Sequence, residues 1–106
     1  MLAEKDRAIA LEFRRRVAEI VTILDFRVYG SRARGDNDEF SDMDVYIEIK
    51  SVDRPLRERI SELAWEVGFE HDRVISTLVA TRIQRTRGAF GASPILLVIE
   101  KEGVCV

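Results

Sequence analysis

A chain of 106 residues, 46% apolar and 34% charged, has the composition of one folded domain (residues 1–106) with a charged surface, and its supply of Leu, Ile and Val excludes intrinsic disorder. Its 17 basic and 19 acidic side chains leave a formal net charge of -2, which argues against a nucleic-acid-coating protein but leaves room for small anionic ligands. A single cysteine, Cys105, excludes an internal disulfide, no apolar run reaches the roughly 20 residues of a membrane span, and the charged Met1–Arg16 segment lacks a signal-peptide apolar stretch, so the expected compartment is the cytoplasm.

The first element is a helix. Ile9, Ala10, Phe13, Val17, Ile20, Val21 and Leu24 recur at spacings of three and four and give one apolar face. Arg14, Arg15 and Arg16 lie between them and read as a solvated face. Asp25 to Tyr29 alternates and predicts a short strand. Gly30 to Ser41 is a loop rich in Gly, Ser, Asp and Asn, with room for one helical turn.

Asp42 to Lys50 alternates again. Met43, Val45, Ile47 and Ile49 share one face, and Asp42, Asp44, Tyr46 and Glu48 share the other, which predicts a half-buried strand with a carboxylate-rich face. Asp53 and Pro55 start a second helix whose apolar face is Leu56, Ile60, Leu63, Ala64 and Val67, with Gly68 as its stop. Val74 to Ala80 is a third strand, and Thr81 to Gly91 is polar and irregular, with room for a helical turn. Ile95 to Ile99 fits a strand by its unbroken apolar run. The N-cap Ser93, Pro94 and the terminal Gly103 favour a short helix instead. The expected architecture is α/β (α+β): a small mixed sheet of about three strands with helices packed on it.

The stretch with chemical content runs from Tyr29 to Glu48. Two aspartates one residue apart on a strand place their carboxylates on the same face, roughly 6.6–7 Å apart. Such a pair suits Mg²⁺, a hard ion that takes one or two carboxylates together with phosphate oxygens. Gly30 lets the backbone approach a ligand closely, and Ser31 offers a hydroxyl and an N–H. Arg32 and Arg34 add charge-assisted donors suited to phosphate, and Gly35 lets the loop turn back. Phosphate donors facing a metal clamp are what metal-assisted phosphoryl or nucleotidyl transfer requires.

The run Gly30-Ser31-Arg32-Ala33-Arg34-Gly35-Asp36, followed by Ser41-Asp42-Met43-Asp44, resembles the signature of the DNA polymerase β nucleotidyltransferase superfamily. In particular it is similar to the minimal nucleotidyltransferase (MNT) domains of prokaryotes, across nearly the whole chain. The resemblance implies that Gly30 and Ser31 bind a triphosphate, with Arg32 and Arg34 beside them, and that Asp42 and Asp44 are catalytic and ligate Mg²⁺. It implies transfer of a nucleoside monophosphate, AMP from ATP, to a hydroxyl. The implied partner is a HEPN-domain protein, with this chain as the antitoxin of a toxin–antitoxin pair; a homodimer stays open.

One departure stands out. The superfamily carries a third carboxylate on a later strand, where this chain has Ser76 and Thr77. Asp72 and Glu70, just before that strand, are the substitutes, Asp72 foremost. Glu48 lies about 13 Å from Asp44 along the strand, too far to share an ion. A non-catalytic antitoxin module with a vestigial nucleotide site is the competing expectation. A nucleic-acid regulator using the arginines at 14–16 and 83–87 is a third, disfavoured by the charge balance. His71, the only histidine, reads as a surface loop residue, Trp65 as core or interface, Asp36 as a turn residue and Cys105 as inert.

Overall fold

The computed structural model describes the backbone of residues 1–106 and the side chains of all of them except Ala89 and Phe90. Helix α1 spans Glu4–Ala18, opens with Glu4 and Asp6 in its first turn and closes with Arg15 and Arg16 in its last. Both sets of charges complement the helix dipole. Ile9, Ala10, Phe13 and Val17 form its buried stripe. The helix stops six residues short of the predicted end at Leu24. The Ile20-Val21-Thr22-Ile23 run is β-branched throughout, which disfavours helix. The amides of Ile20 and Val21 both turn back to the Val17 carbonyl, at 3.0 and 3.1 Å.

Strand β1 (Asp25–Tyr29) leads through a one-turn helix α2 (Ser31–Arg34) and a loop to strand β2 (Met43–Ile49). Helix α3 (Arg54–His71) starts as predicted, with the Asp53 carboxylate accepting from the Leu56 amide at 2.9 Å and Pro55 in the first turn. It does not stop at Gly68. A Cβ on Gly68 would collide with the Arg73 carbonyl, so this glycine serves the close return of the chain. The stop is Asp72, left-handed at φ 56°, with the Arg73 amide bonded to the Gly68 carbonyl at 2.8 Å. That is a Schellman closure. Strand β3 (Ile75–Thr81), helix α4 (Arg82–Arg87), a 3₁₀ turn (Ala89–Ala92) and helix α5 (Pro94–Glu102) follow. The Ser93 cap of α5 is present, its hydroxyl accepting from the Ile95 amide.

The sheet has four strands in the order β3-β2-β1-β4, one more than predicted. The extra strand, β4 (Val104–Cys105), is only two residues long and pairs antiparallel with Arg27 and Val28. β1 and β2 are antiparallel, whereas β2 and β3 are parallel and joined by the α3 crossover. One sheet face, with Phe26, Val28, Met43, Val45, Ile47, Ile49 and Val79, packs in the main core together with buried residues of α1 and α3. On the other face Tyr46 and Ala80 pack with Ile99 of α5. β2 is therefore not half-buried: every residue from Val45 to Ile49 is enclosed, and only Asp44 on this strand stays partly open. Among the described residues no helix is long and apolar enough to cross a membrane.

Candidate active site

On the second face of β2, Asp44 at the start of the strand is the residue that stays partly open. Tyr29, the last residue of β1, pairs with Asp44, so the chain bends directly beside that carboxylate. Gly30 makes the bend at φ 76°, ψ −156°, a region open to glycine alone. A Cβ on Gly30 would lie 2.5 Å from Asp44 Oδ2. Glycine is thus required twice at this position, by backbone conformation and by contact. Helix α2 begins at once, and Gly35 closes it in the left-handed region at φ 84°. No hydrogen bond among the described residues engages the Ser31 hydroxyl.

The two aspartates differ in setting. Asp42 is exposed, and its Oδ2 accepts from the Ser76 hydroxyl at 3.2 Å. Asp44 is half-buried, and its carboxylate accepts no hydrogen bond from any described residue. Burial pushes its carboxyl above the usual aspartate range, the Asp42 charge pushes in the same direction, and Arg34 opposes both. Burial, then Asp44, likewise raises the Tyr29 hydroxyl. An under-coordinated carboxylate beside a second one is a setting that a divalent cation relieves, and the all-oxygen donor set fits Mg²⁺. Asp42 and Asp44 are the residues that could hold it. Among the described residues no three of His, Cys, Asp and Glu gather at metal-binding spacing, so phosphate oxygens and water would complete the shell.

Arg32 does not join this set. Its guanidinium is 3% exposed and turned into the protein, where it pairs with Asp6 and donates to the carbonyls of Ser41 and Asp38. It ties α2 to the loop before Asp42 and to α1 instead of facing a phosphate. Arg34 is 44% exposed and paired with Asp36 and Glu102, each at 3.0 Å. It remains close enough to act on the Asp44 carboxyl.

The register puts Ser76 opposite Asp44 on the neighbouring strand. A serine therefore holds the place where a third acid would face the pair. Thr77 pairs with Val45, on the core side. Asp72 caps α3, and Glu70 is engaged by Arg16 at 2.7 Å. Glu48, as its distance from Asp44 predicted, belongs elsewhere. It is fully enclosed and bound by Tyr46, Arg82 and Arg85. That cluster, with Arg85 reaching on to Glu100, fixes α4 and α5 over the Glu48 end of β2. Of the arginine runs, Arg15 and Arg16 pair with acids of α1 and α3, and Arg14 donates to the Val106 carbonyl. No uncompensated basic stripe results from them.

Sequence reasoning missed Asp6, the anchor of Arg32, because nothing local links residues 26 apart in the chain. It also missed the Tyr46–Glu48 cluster, whose signal was two polar residues on a strand later covered by helices.

A sequence profile of the nucleotidyltransferase domain matches residues 10–103. The fold is similar to that in a crystal structure of a toxin–antitoxin with AMP-PNP, with a TM-score of 0.65 at 18% identity over 97% of this chain and 72% of that one. It is also similar to a candidate nucleotidyltransferase from Sulfolobus solfataricus, with a TM-score of 0.53 at 23% identity over 95% of this chain and 80% of that one. No curated protein sequence matches the chain significantly.

Proposed function

Because the chain belongs to the nucleotidyltransferase domain family, we propose that it transfers a nucleoside monophosphate, AMP from ATP, to a hydroxyl on a partner protein. The observation that carries this reading is the close approach of Gly30 to Asp44, where a Cβ on Gly30 would lie 2.5 Å from Asp44 Oδ2 and so puts the bend beside that carboxylate. In this reading the Gly30–Ser31 bend receives the triphosphate. Gly30 admits it closely, the free Ser31 hydroxyl donates to it, and Arg34 balances its charge. Mg²⁺ on Asp42 and Asp44 would supply charge neutralisation and polarise the phosphate oxygens. The acceptor oxygen forms a bond to the α-phosphorus while the bond from that phosphorus to its bridging oxygen breaks. Pyrophosphate leaves, and the hydroxyl proton passes to solvent. With a serine opposite Asp44 no third carboxylate takes that proton, and loss of general-base help slows such steps by about 10²–10⁴-fold.

The biological role that fits is that of an antitoxin acting on a HEPN-domain toxin in the cytoplasm. The toxin–antitoxin neighbour with AMP-PNP supports it at the level of fold. The test is incubation of chain, partner, Mg²⁺ and α-labelled ATP. Label on the partner that disappears in Asp42→Asn and Asp44→Asn supports transfer. Ser76 in the third-acid position favours a second reading, neutralisation by contact alone. Full neutralisation by both variants without label would establish that reading and end the first.

A further inference from the structure

Beside the site, but on the α3 side of the sheet, lies a cleft of about 750 Å³. Three of its lining residues, Phe40, Trp65 and Phe69, are large aromatics. Trp65 and Phe69 stack on each other at 5.3 Å and 15°, yet are 68% and 76% exposed. Phe40, on the loop that leads to Asp42, lines the same cleft and is 84% exposed. Holding three large aromatic side chains in water forgoes burial worth about 1.5–3 kcal/mol for a Phe-sized side chain. Contiguous exposure of this kind marks an interaction surface.

The charges of the lining narrow the occupant. Arg73 also lines the cleft, with its guanidinium engaged by the Asp6 carboxylate and the Asp72 carbonyl. Glu39 and Asp72 line the cleft, and no ion pair among the described residues neutralises either carboxylate. Two unpaired carboxylates against one arginine already engaged by Asp6 disfavour an anionic occupant, a nucleotide included. A cation would meet two carboxylates and the face of an indole. The cleft neighbours the chemistry along the chain, although its lining does not include Asp42 or Asp44. Ser41 lines it and precedes Asp42; Ile75 lines it and precedes Ser76, which holds Asp42.

We propose that this cleft docks a segment of the acceptor protein in which apolar side chains are flanked by lysine or arginine, so that the acceptor hydroxyl arrives next to Asp42. The assignment of the occupant as acceptor rests on the transfer reading above; its apolar and cationic chemistry rests on the cleft alone.

Trp65 is the only tryptophan, so its fluorescence reports occupancy. The probe is the peptide Ac-Arg-Leu-Phe-Arg-NH₂, titrated into the intact chain, with Ac-Glu-Leu-Phe-Glu-NH₂ as the charge-reversed control. The expected result is a saturable change in Trp65 emission with the basic peptide and binding of the acidic one weaker by about tenfold or more. Glu39→Gln and Asp72→Asn together reduce the preference to near unity; Asn tolerates the left-handed backbone at 72, so the fold is kept. Equal binding of both peptides, or no saturable change, overturns the proposal. So does a dimer in sedimentation that Trp65→Ala converts to monomer, which would assign the cleft to a second copy of the chain. Asp42→Asn with Asp44→Asn separates the two readings, because it leaves the peptide titration intact while removing stabilisation by Mg²⁺ and ATP. Peptide binding by a wild-type chain that ignores Mg²⁺ and ATP would sink the transfer reading and uphold the docking chemistry.

Discussion

Arg32 donates to both carboxylate oxygens of Asp6, at 3.2 and 3.0 Å, with both side chains 3% exposed. The pair spans α1 and the first turn after the Gly30 bend, and Arg73 joins it from the connection between α3 and β3. A buried pair is not a large net source of stability, but breaking it strands a charge. Asp6→Asn leaves the Arg32 guanidinium buried without its counter-ion and is expected to cost about 3–5 kcal/mol. Urea unfolding followed by circular dichroism measures it. A cost below 1 kcal/mol would mean that the guanidinium escapes to water and that the loop is not held as described.

Gly30→Ala tests the convergence itself. The added methyl meets Asp44 Oδ2, and the backbone at φ 76° is strained for any residue with a Cβ. Residues forced into such regions cost about 1–3 kcal/mol. The Asp44 carboxylate must move to make room, so stabilisation by Mg²⁺ and ATP should vanish as well. Thermal melts with and without both ligands check this. An alanine variant that keeps the ligand-induced shift would show that the bend and Asp44 do not share a site.

The parts of the site built by short-range pattern were legible in the sequence. Period-2 alternation put Asp42 and Asp44 on one face, and glycine after a strand marked the bend. Arg32 was read as a phosphate donor because charge beside a Gly-Ser pair suggests one. Its true partner lies on α1, and no local rule reaches that far. The second face of β2 was read as solvent-facing because Tyr46 and Glu48 are polar. Their burial depends on α4 and α5 folding over them, a tertiary event that alternation cannot report. β4 escaped for a simpler reason: two residues carry no periodicity.

Asp44 is held half-buried, with no donor, beside a second carboxylate. That arrangement opposes the ionised form in the metal-free protein. Asp44→Asn should therefore raise the melting temperature of the metal-free chain at neutral pH. The same substitution removes a ligand. In the wild type, Mg²⁺ with ATP at one hundred times its Kd should stabilise by about 2.7 kcal/mol, and chelation should reverse the gain. In Asp44→Asn the gain should be absent. Scanning calorimetry across the four conditions decides it. A variant that is less stable than wild type without metal would contradict the strained-carboxylate description.

Glu48 supplies the pH dependence. Burial alone would raise its carboxyl, but hydrogen bonds from Arg82, Tyr46 and Arg85 prevail and hold it below the usual glutamate range. An acid whose folded pKa is depressed binds fewer protons in the native state than in the unfolded one across that window, so its stabilisation grows as pH rises. The contribution is fully present above the ordinary glutamate range and is lost as pH falls through the folded value. Glu48→Gln keeps the shape and removes the charge, leaving Arg82 and Arg85 with weaker acceptors. Loss of charge-assisted hydrogen bonds of this kind costs about 1–3 kcal/mol. The gap between wild type and variant should be widest at neutral pH and shrink on acidification below the ordinary glutamate range. Denaturant midpoints of both proteins across that range test this. A gap that stays constant with pH would mean that the network is held by packing and not by the Glu48 charge, and that α4 and α5 keep their place over β2 for another reason.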